Sequence, residues 1–156
     1  MFSSPEDAIK EAFPNAQIER KAVYLSSDER KSIEEKYQVN LGGTFHTFYI
    51  AKSQGAIVGY GIFDTHKVRT KDETLFIVVD TKGFIKKIKL ISFFEPDDYR
   101  APERWLKRFE GRSLSDPLIP GKDITIMTGA TLTTNKVAAA ARRVLVLAMH
   151  HFGAKQ

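Results

Sequence analysis

The chain lacks cysteine altogether. Disulfide bridges, thiolate metal sites, iron–sulfur clusters and c-type haem attachment are therefore excluded within it, and any redox role would require an organic cofactor. Long hydrophobic runs are also absent, because the most apolar stretch, residues 137–149, is interrupted by Arg142 and Arg143. We therefore expect no transmembrane segment. The first residues have neither a basic region nor an apolar core, so we expect no signal peptide either.

What the chain does contain is typical of a globular protein. Its 156 residues match one ordinary domain, and hydrophobic residues make up 42% and charged residues 28% of the sequence. We therefore expect a single domain over residues 1–156. The formal net charge is +5, with the charges interspersed rather than grouped in a tail. Such an excess is compatible with nucleic acid, an anionic membrane face, an anionic cofactor or simply a solvated surface.

Local start, stop and periodicity signals predict an α+β fold. Ser4 and the Ser26–Glu29 capping box begin the first two helices, and Gly153 ends the last. The predicted helices cover residues 4–13, 28–37, 102–109 and 133–152. The predicted strands cover residues 44–51, 56–63, 73–79 and 84–93, the last two forming a hairpin. We expect an antiparallel sheet packed against the long C-terminal helix, with short N-terminal and connecting helices.

The clearest signal for a ligand is the segment from Thr128 to Thr134, directly before the long helix. Its small residues let a ligand approach the backbone, and Gly129 permits unusual dihedral angles. Hydroxyl groups lie where a helix start exposes unpaired N–H groups and partial positive charge, which suits a phosphate. The alternative is that Thr133 or Thr134 merely caps the helix.

Thr128-Gly129-Ala130-Thr131 resembles the Ser/Thr-Gly-Ala-Thr motif of the FMN-binding domain family, which includes flavoprotein subunits of sodium-pumping NADH:quinone reductases and of related ferredoxin-linked pumps. The resemblance is best over residues 73–147, where the segments 93–99, 104–112 and 116–124 are also similar to the family. It implies an electron carrier that uses FMN, with Thr131 esterified to the flavin phosphate and with Gly129 and Ala130 beside it. It also implies maturation by a flavin transferase that uses FAD, redox partner proteins or a membrane electron-transport complex, and an extracytoplasmic location.

Further candidate FMN ligands come from residue type and from the same resemblance. Aromatic residues are expected beside the flavin ring and basic residues beside the phosphate, although core packing and a solvated surface are the respective alternatives. The basic candidates include a predicted loop, residues 66–71, ahead of the third strand. Besides Thr131, Thr128, Gly129 and Ala130, the candidate ligands are Thr134, Glu95, Tyr99, Trp105, Arg69 and Lys136. We predict no catalytic residue and no metal site, because adjacent His150 and His151 cannot chelate one ion together.

Alternatives to a covalent flavin carrier remain at this level. The family pattern has an aspartate three residues before its first Ser/Thr, where this chain has Thr125, so non-covalent FMN is a second possibility beside the favoured phosphoester. A flavin-binding redox sensor of the same fold is another. A more distant alternative is a single-stranded nucleic-acid binder that uses Lys86, Lys87 and Lys89.

Overall fold

The structure, a computed structural model, describes residues 2–127 and 129–153. In chain order the main elements are α1 (Pro5–Ala12), β1 (Gln17–Tyr24), α2 (Ser27–Tyr37), β2 (Phe45–Ser53), β3 (Ala56–Lys67), β4 (Asp72–Val79), β5 (Ile85–Phe93), α3 (Glu103–Leu106) and α4 (Thr131–Phe152). Single 3₁₀ turns lie at Asp97–Tyr99 and Lys107–Phe109. The predicted α+β class and the long C-terminal helix are confirmed.

The five strands form one antiparallel sheet in the order β1-β2-β3-β4-β5, so each strand pairs with its neighbour in sequence. Short turns explain this simple order. The β2–β3 turn uses Gln54 and Gly55, both with positive φ, and the β4–β5 turn uses Gly83 at φ 86°. Asp80 closes the second turn, because its carboxylate accepts hydrogen bonds from the backbone of Lys82 and Phe84.

The predicted N-caps of the first two helices are confirmed. The Ser4 hydroxyl accepts a hydrogen bond from the backbone N–H of Asp7, and Ser26 and Glu29 form a reciprocal capping box. Gly153 ends α4 in the left-handed conformation at φ 68°, as its position after the apolar periodicity predicts.

The structure corrects the predicted elements at three places: one strand was missed, and two elements have different bounds. A strand, β1, forms at the sheet edge. It was not predicted because seven of its eight residues are solvent-exposed and only Val23 is buried, so it has no apolar pattern. β3 continues through His66 and Lys67, which were assigned to a loop, because Ile62–Lys67 pairs along its whole length with β4. α4 begins at Thr131, two residues earlier than expected.

Helix α4 covers one face of the sheet and forms the main core with it. Val137, Ala141, Val144 and Ala148 are fully buried, as their spacing predicts. At the far end of the helix, the Phe152 ring stacks on Tyr60 of β3 with centroids 4.5 Å apart. The opposite face of β4 and β5 is covered by α1, which contributes to a second apolar cluster of Ala8, Phe76, Val78 and Ile91.

The sheet opens between β2 and β3 at one end. The two strands pair from the turn only as far as Tyr49 and Gly61. Beyond that point residues 45–48 pair only with β1, and residues 62–67 pair only with β4. The gap forms a cleft of about 440 Å³ whose lining includes Lys136, Ala139 and Arg143 of α4. We call this gap the β2–β3 cleft.

Gly61 illustrates how tightly the second apolar cluster is packed. A Cβ at this position would overlap the Phe76 ring and would lie 2.7 Å from its Cε1 atom. Gly61→Ala should therefore lower the free energy of unfolding by about 1–3 kcal/mol, measured by chemical denaturation. Gly43→Ala is the matched control, because a Cβ there would meet no atom within 4 Å. Equal stability of the two variants would contradict this packing.

Candidate functional site

The predicted ligand segment forms the turn that enters α4. Ala130 is the N-cap residue and offers no side-chain cap to the first N–H groups of α4. Thr131 is the first residue of the helix, and its side chain is exposed. A phosphate or other anion could approach both the hydroxyl and the positive end of the helix from solvent. Thr128, the first residue of the motif, lies outside the described residues.

Thr133 and Thr134 do not cap the helix, which corrects the alternative drawn from the sequence. Both lie inside its first turn and are fully buried. The Thr134 hydroxyl donates to the carbonyl of Ala130 at 3.0 Å and accepts a longer bond from the Met127 N–H. It therefore ties the segment before α4 to the helix. The Thr133 hydroxyl, by contrast, has no hydrogen-bond partner among the residues that the structure describes.

Gly129 gives the turn a conformation that other residues rarely adopt. Its φ is +78°, and a Cβ added there would meet no atom within 4 Å. Glycine is thus favoured here by backbone conformation and not by crowding. The open space beside Gly129 leaves room for a ligand next to the Thr131 side chain.

Strand β3 and helix α4 run in opposite directions along each other. Asp64 binds Arg143 on α4, while Lys67 and Lys136 line the same cleft. From Asp64 to Lys67 the strand advances about 10 Å, and from Arg143 back to Lys136 the helix covers about the same distance. Lys67 and Lys136 therefore lie at the same height along the two elements. The turn that follows β3, residues 68–71, therefore lies at the end of the molecule where α4 begins.

Glu95 organises this turn. Its Oε2 atom accepts hydrogen bonds from the backbone N–H groups of Arg69, Thr70 and Lys71, at 2.7, 2.8 and 3.1 Å. Burial alone would raise the pKa of the Glu95 carboxyl, but these three donors outweigh it and hold the pKa below its usual value. The Arg69 guanidinium lies 5.3 Å from the centroid of the Tyr99 ring and donates to its hydroxyl. Three predicted ligands, Glu95, Arg69 and Tyr99, are thus brought together.

Trp105 is placed in the interior. It is 3% exposed, packs edge-on against Phe109 and donates its indole N–H to the carbonyl of Thr125 at 2.7 Å. This location favours the core-packing alternative for Trp105. The indole also anchors the segment that leads into the motif turn.

Asp123, the aspartate nearest to the family position held here by Thr125, has a structural role. Its two carboxylate oxygens accept the N–H groups of Leu118 and Ile119 at 2.9 and 2.7 Å. Burial alone would raise the pKa of the Asp123 carboxyl, but these hydrogen bonds outweigh burial and hold the pKa below its usual value. Thr125 is exposed, and its contact with Trp105 is made by the backbone carbonyl and not by the side chain.

A buried group of charges joins β3, β4 and α4. Asp64 accepts a two-pronged hydrogen bond from Arg143, with distances of 2.7 and 2.9 Å, and a third bond from His66 at 2.8 Å. The other ring nitrogen of His66 lies 2.7 Å from Glu73, whose side chain is fully buried. Within the described part of the chain, the Glu73 Oε2 atom has no hydrogen-bond partner. We call Asp64, His66, Glu73 and Arg143 the charge cluster.

Sequence analysis did not identify the charge cluster. Its best signal was Arg143 itself, which interrupts the most apolar stretch of the chain and therefore required a buried partner. The partner could not be identified, because Asp64 is 79 residues away in sequence. His66 was assigned to a loop, and β3 instead turns it towards two carboxylates.

The charge cluster shifts the pKa values of its members. Burial lowers the pKa of His66, but the hydrogen bonds to Asp64 and Glu73 outweigh it and raise the pKa from 6.5 to about 8. Burial acts on Asp64 in the opposite sense and is likewise outweighed, here by Arg143 and His66, so the pKa of this carboxyl lies well below its usual value.

Stability should therefore depend on the protonation of His66. The raised pKa stabilises the folded state fully below about pH 6.5, and this contribution is lost as the pH rises through about 8. The shift corresponds to about 2 kcal/mol. The difference in unfolding free energy between the wild type and His66→Gln should shrink by that amount between pH 6 and pH 9. Asn135→Gln, an exposed and non-titrating position on α4, is the control and should keep the wild-type slope. A pH-independent difference for His66→Gln would contradict the prediction.

Lys136, a predicted phosphate ligand, lines the β2–β3 cleft one and a half turns along α4 from Thr131. The lysines proposed for nucleic-acid binding are placed elsewhere. Lys87 and Lys89 both pair with Glu11, whose pKa they lower to about 2. This pairing weakens the attraction of Lys87 and Lys89 for a phosphate backbone and argues against nucleic-acid binding, although Lys86 is exposed.

Within residues 2–127 and 129–153, no group of three or more potential ligands is arranged to hold a metal ion. In the same part of the chain, no helix combines the length and the apolar character needed to cross a membrane.

Comparison with known proteins identifies the fold. No protein-family profile matches the chain, and no curated protein is similar enough in sequence to count as a relative. Among solved structures, the crystal structure of Shewanella oneidensis NqrC is similar, with a TM-score of 0.60 and 13% sequence identity over 92% of this chain and 85% of that one. This degree of identity shows a common fold only. The chain is therefore an α+β domain with the fold of S. oneidensis NqrC.

Proposed function

We propose that this chain is an FMN-binding electron-transfer domain in which the flavin phosphate is esterified to Thr131. The observation that carries the proposal is the position of Thr131. Its exposed side chain lies at the first residue of a 22-residue helix whose start has no side-chain cap. The NqrC-like fold and the resemblance of the Thr128–Thr131 motif to the FMN-binding domain family support it independently.

The residues at this turn fit a phosphate. The first N–H groups and the helix dipole favour an anion at the start of α4, and Gly129 leaves open space beside it. Thr133 supplies a buried hydroxyl in the same turn with no hydrogen-bond partner within residues 2–127 and 129–153. FMN, when bound, supplies electron-transfer chemistry that a chain without cysteine lacks in its own side chains.

Attachment would be a transfer of the FMN unit to the Thr131 hydroxyl. The Thr131 oxygen forms a new bond to the flavin phosphorus of FAD, the bond from that phosphorus to the adenylate breaks, and AMP and the hydroxyl proton are released. A phosphoester leaves the flavin ring unmodified, so nearby side chains must tune its redox properties. Arg69 and Tyr99, held by the Glu95-bound turn, are our proposed candidates, whereas Lys136 lines the β2–β3 cleft and is not included in the proposed flavin site.

The proposal includes the surroundings of the domain. We infer maturation by a flavin transferase, electron exchange with redox proteins or a membrane complex, and an extracytoplasmic location. The nucleic-acid alternative is disfavoured by the pairing of Lys87 and Lys89 with Glu11.

Co-expression with a flavin transferase tests the proposal directly. The purified chain should keep its flavin through denaturation, giving a fluorescent band on a denaturing gel and a mass increase of one FMN less one water. Flavin that co-purifies but separates on denaturation would support the non-covalent alternative, in which Thr125 replaces the family aspartate. A chain that binds no flavin either way would contradict the proposal.

A further inference from the structure

The β2–β3 cleft has the features of a binding site separate from the motif turn. Its volume, about 440 Å³, is within the range of small-molecule pockets. It arises because the two strands stop pairing after Tyr49 and Gly61, so it is built into the sheet and does not depend on one side-chain rotamer. Ala139 of α4 is exposed in the lining, and its small side chain leaves space in the cleft.

Aromatic side chains line the cleft. Phe45 is 54% exposed and contacts the Tyr24 ring with one side, and Phe63 is half-buried because its ring stacks on Phe76. Phe45 belongs to β2 and Phe63 to β3, so the two diverging strands each contribute one ring. A flat apolar group is the type of ligand that would cover them.

Charge in the cleft favours an anion. With His66 protonated, the two positive and two negative members of the charge cluster cancel. The remaining charges in the lining are Lys67 of β3 and Lys136 of α4, and within the described residues neither side chain makes a hydrogen bond or an ion pair. The lining of the cleft therefore includes two lysines and two aromatic residues, with Lys136 on α4 and the other three on the diverging strands.

We propose that the β2–β3 cleft binds a small aromatic carboxylate, with its ring against Phe45 and Phe63 and its carboxylate between Lys67 and Lys136. The site requires no flavin, so it is independent of the function proposed for Thr131. A ligand in this cleft would contact α4 and both diverging strands. It would fill the gap between the parts of β2 and β3 that do not pair with each other.

Titration of the full chain with 2-naphthoate, followed by NMR chemical shifts, tests the proposal. Shifts should concentrate at the cleft residues. The neutral analogue 2-naphthalenemethanol and the ring-free anion acetate should each bind at least about tenfold more weakly, since each lacks one of the two interactions. Equal binding of the alcohol and the carboxylate would overturn the assignment of the lysines.

Two pairs of variants make the test specific. Lys67→Gln combined with Lys136→Gln should weaken binding about tenfold or more, whereas Lys31→Gln on α2 should leave it unchanged. Ala139→Leu should block the cleft, whereas Asn135→Leu, also exposed on α4 but outside the lining, should not. Unchanged binding in Ala139→Leu would overturn the proposal.

The flavin-loaded chain separates this proposal from the previous one. Thr131→Ala should bind 2-naphthoate as the wild type does, whatever the outcome of flavin attachment. The loaded wild type should also bind it. If loading with FMN abolishes 2-naphthoate binding, the cleft belongs to the flavin site and a separate site is overturned.

Discussion

Thr131→Ala should reduce covalent flavin attachment to background in cells that express a flavin transferase. The variant lacks the only atom of residue 131 that can form a phosphoester. It should nevertheless fold normally, because the Thr131 side chain is exposed and alanine is favourable in a helix. In-gel fluorescence and intact mass measure the attachment, and circular dichroism checks the fold.

Three further variants test whether the loss of attachment in Thr131→Ala is specific to the Thr131 hydroxyl. Thr131→Ser keeps a hydroxyl at the same position and should retain attachment. Thr125→Ala removes another exposed hydroxyl nearby and should leave attachment unchanged, whereas Thr125→Asp restores the family pattern and should increase the yield. The backbone bond from Trp105 to Thr125 survives both changes at position 125. A fluorescent band of wild-type strength in Thr131→Ala would locate the linkage elsewhere.

Arg143→Met should lower the free energy of unfolding by about 3–5 kcal/mol, because it leaves the buried Asp64 carboxylate without its two-pronged partner. His66 alone would then face two carboxylates. Methionine has similar length and high helix propensity, so the loss reports the charge and its hydrogen bonds and not a broken helix. Chemical denaturation at pH 7 measures it.

Arg143→Lys should fall between the wild type and Arg143→Met, since an ammonium keeps the charge but cannot donate as a planar fork. Arg20→Met on the exposed strand β1 is the control and should change stability by less than about 0.5 kcal/mol. Replacing Asp64 with leucine together with Arg143→Met should recover part of the loss, because no unpaired charge then remains. A loss below about 1 kcal/mol in Arg143→Met would mean that the charge cluster does not stabilise the fold.

Local rules predicted most of the fold because most elements obey them. The Ser26–Glu29 capping box and the Asp80–Gly83 turn are determined by residues a few positions apart, and the structure confirms both. The apolar stripe of α4 is likewise a local periodicity. Such features need no knowledge of the tertiary structure.

β1 was missed because its strand character depends on a neighbour. Three consecutive charged residues, 19–21, and a single buried side chain, Val23, give residues 17–24 no apolar periodicity. The strand is stabilised by its full-length pairing with β2. The start of α4 was misplaced for a related reason, since Ala130 gives no side-chain cap signal.

The candidate site was predictable only in part. The motif turn is contiguous in sequence, so Gly129, Ala130 and Thr131 could be selected together. The grouping of Glu95 with Arg69 and Tyr99 follows from a contact across 26 residues, and the charge cluster follows from one across 79. Neither separation leaves a pattern that a single sequence reveals.

The same charges that concealed β1 have a consequence for the free protein. β1 is the outermost strand on its side of the sheet, so one row of its backbone groups faces solvent. Glu19, Arg20 and Lys21 lie in the middle of that strand, and a second molecule pairing alongside would have to strip water from them. The charges that hid this strand from sequence analysis therefore disfavour sheet extension by a second copy of the chain at the β1 edge.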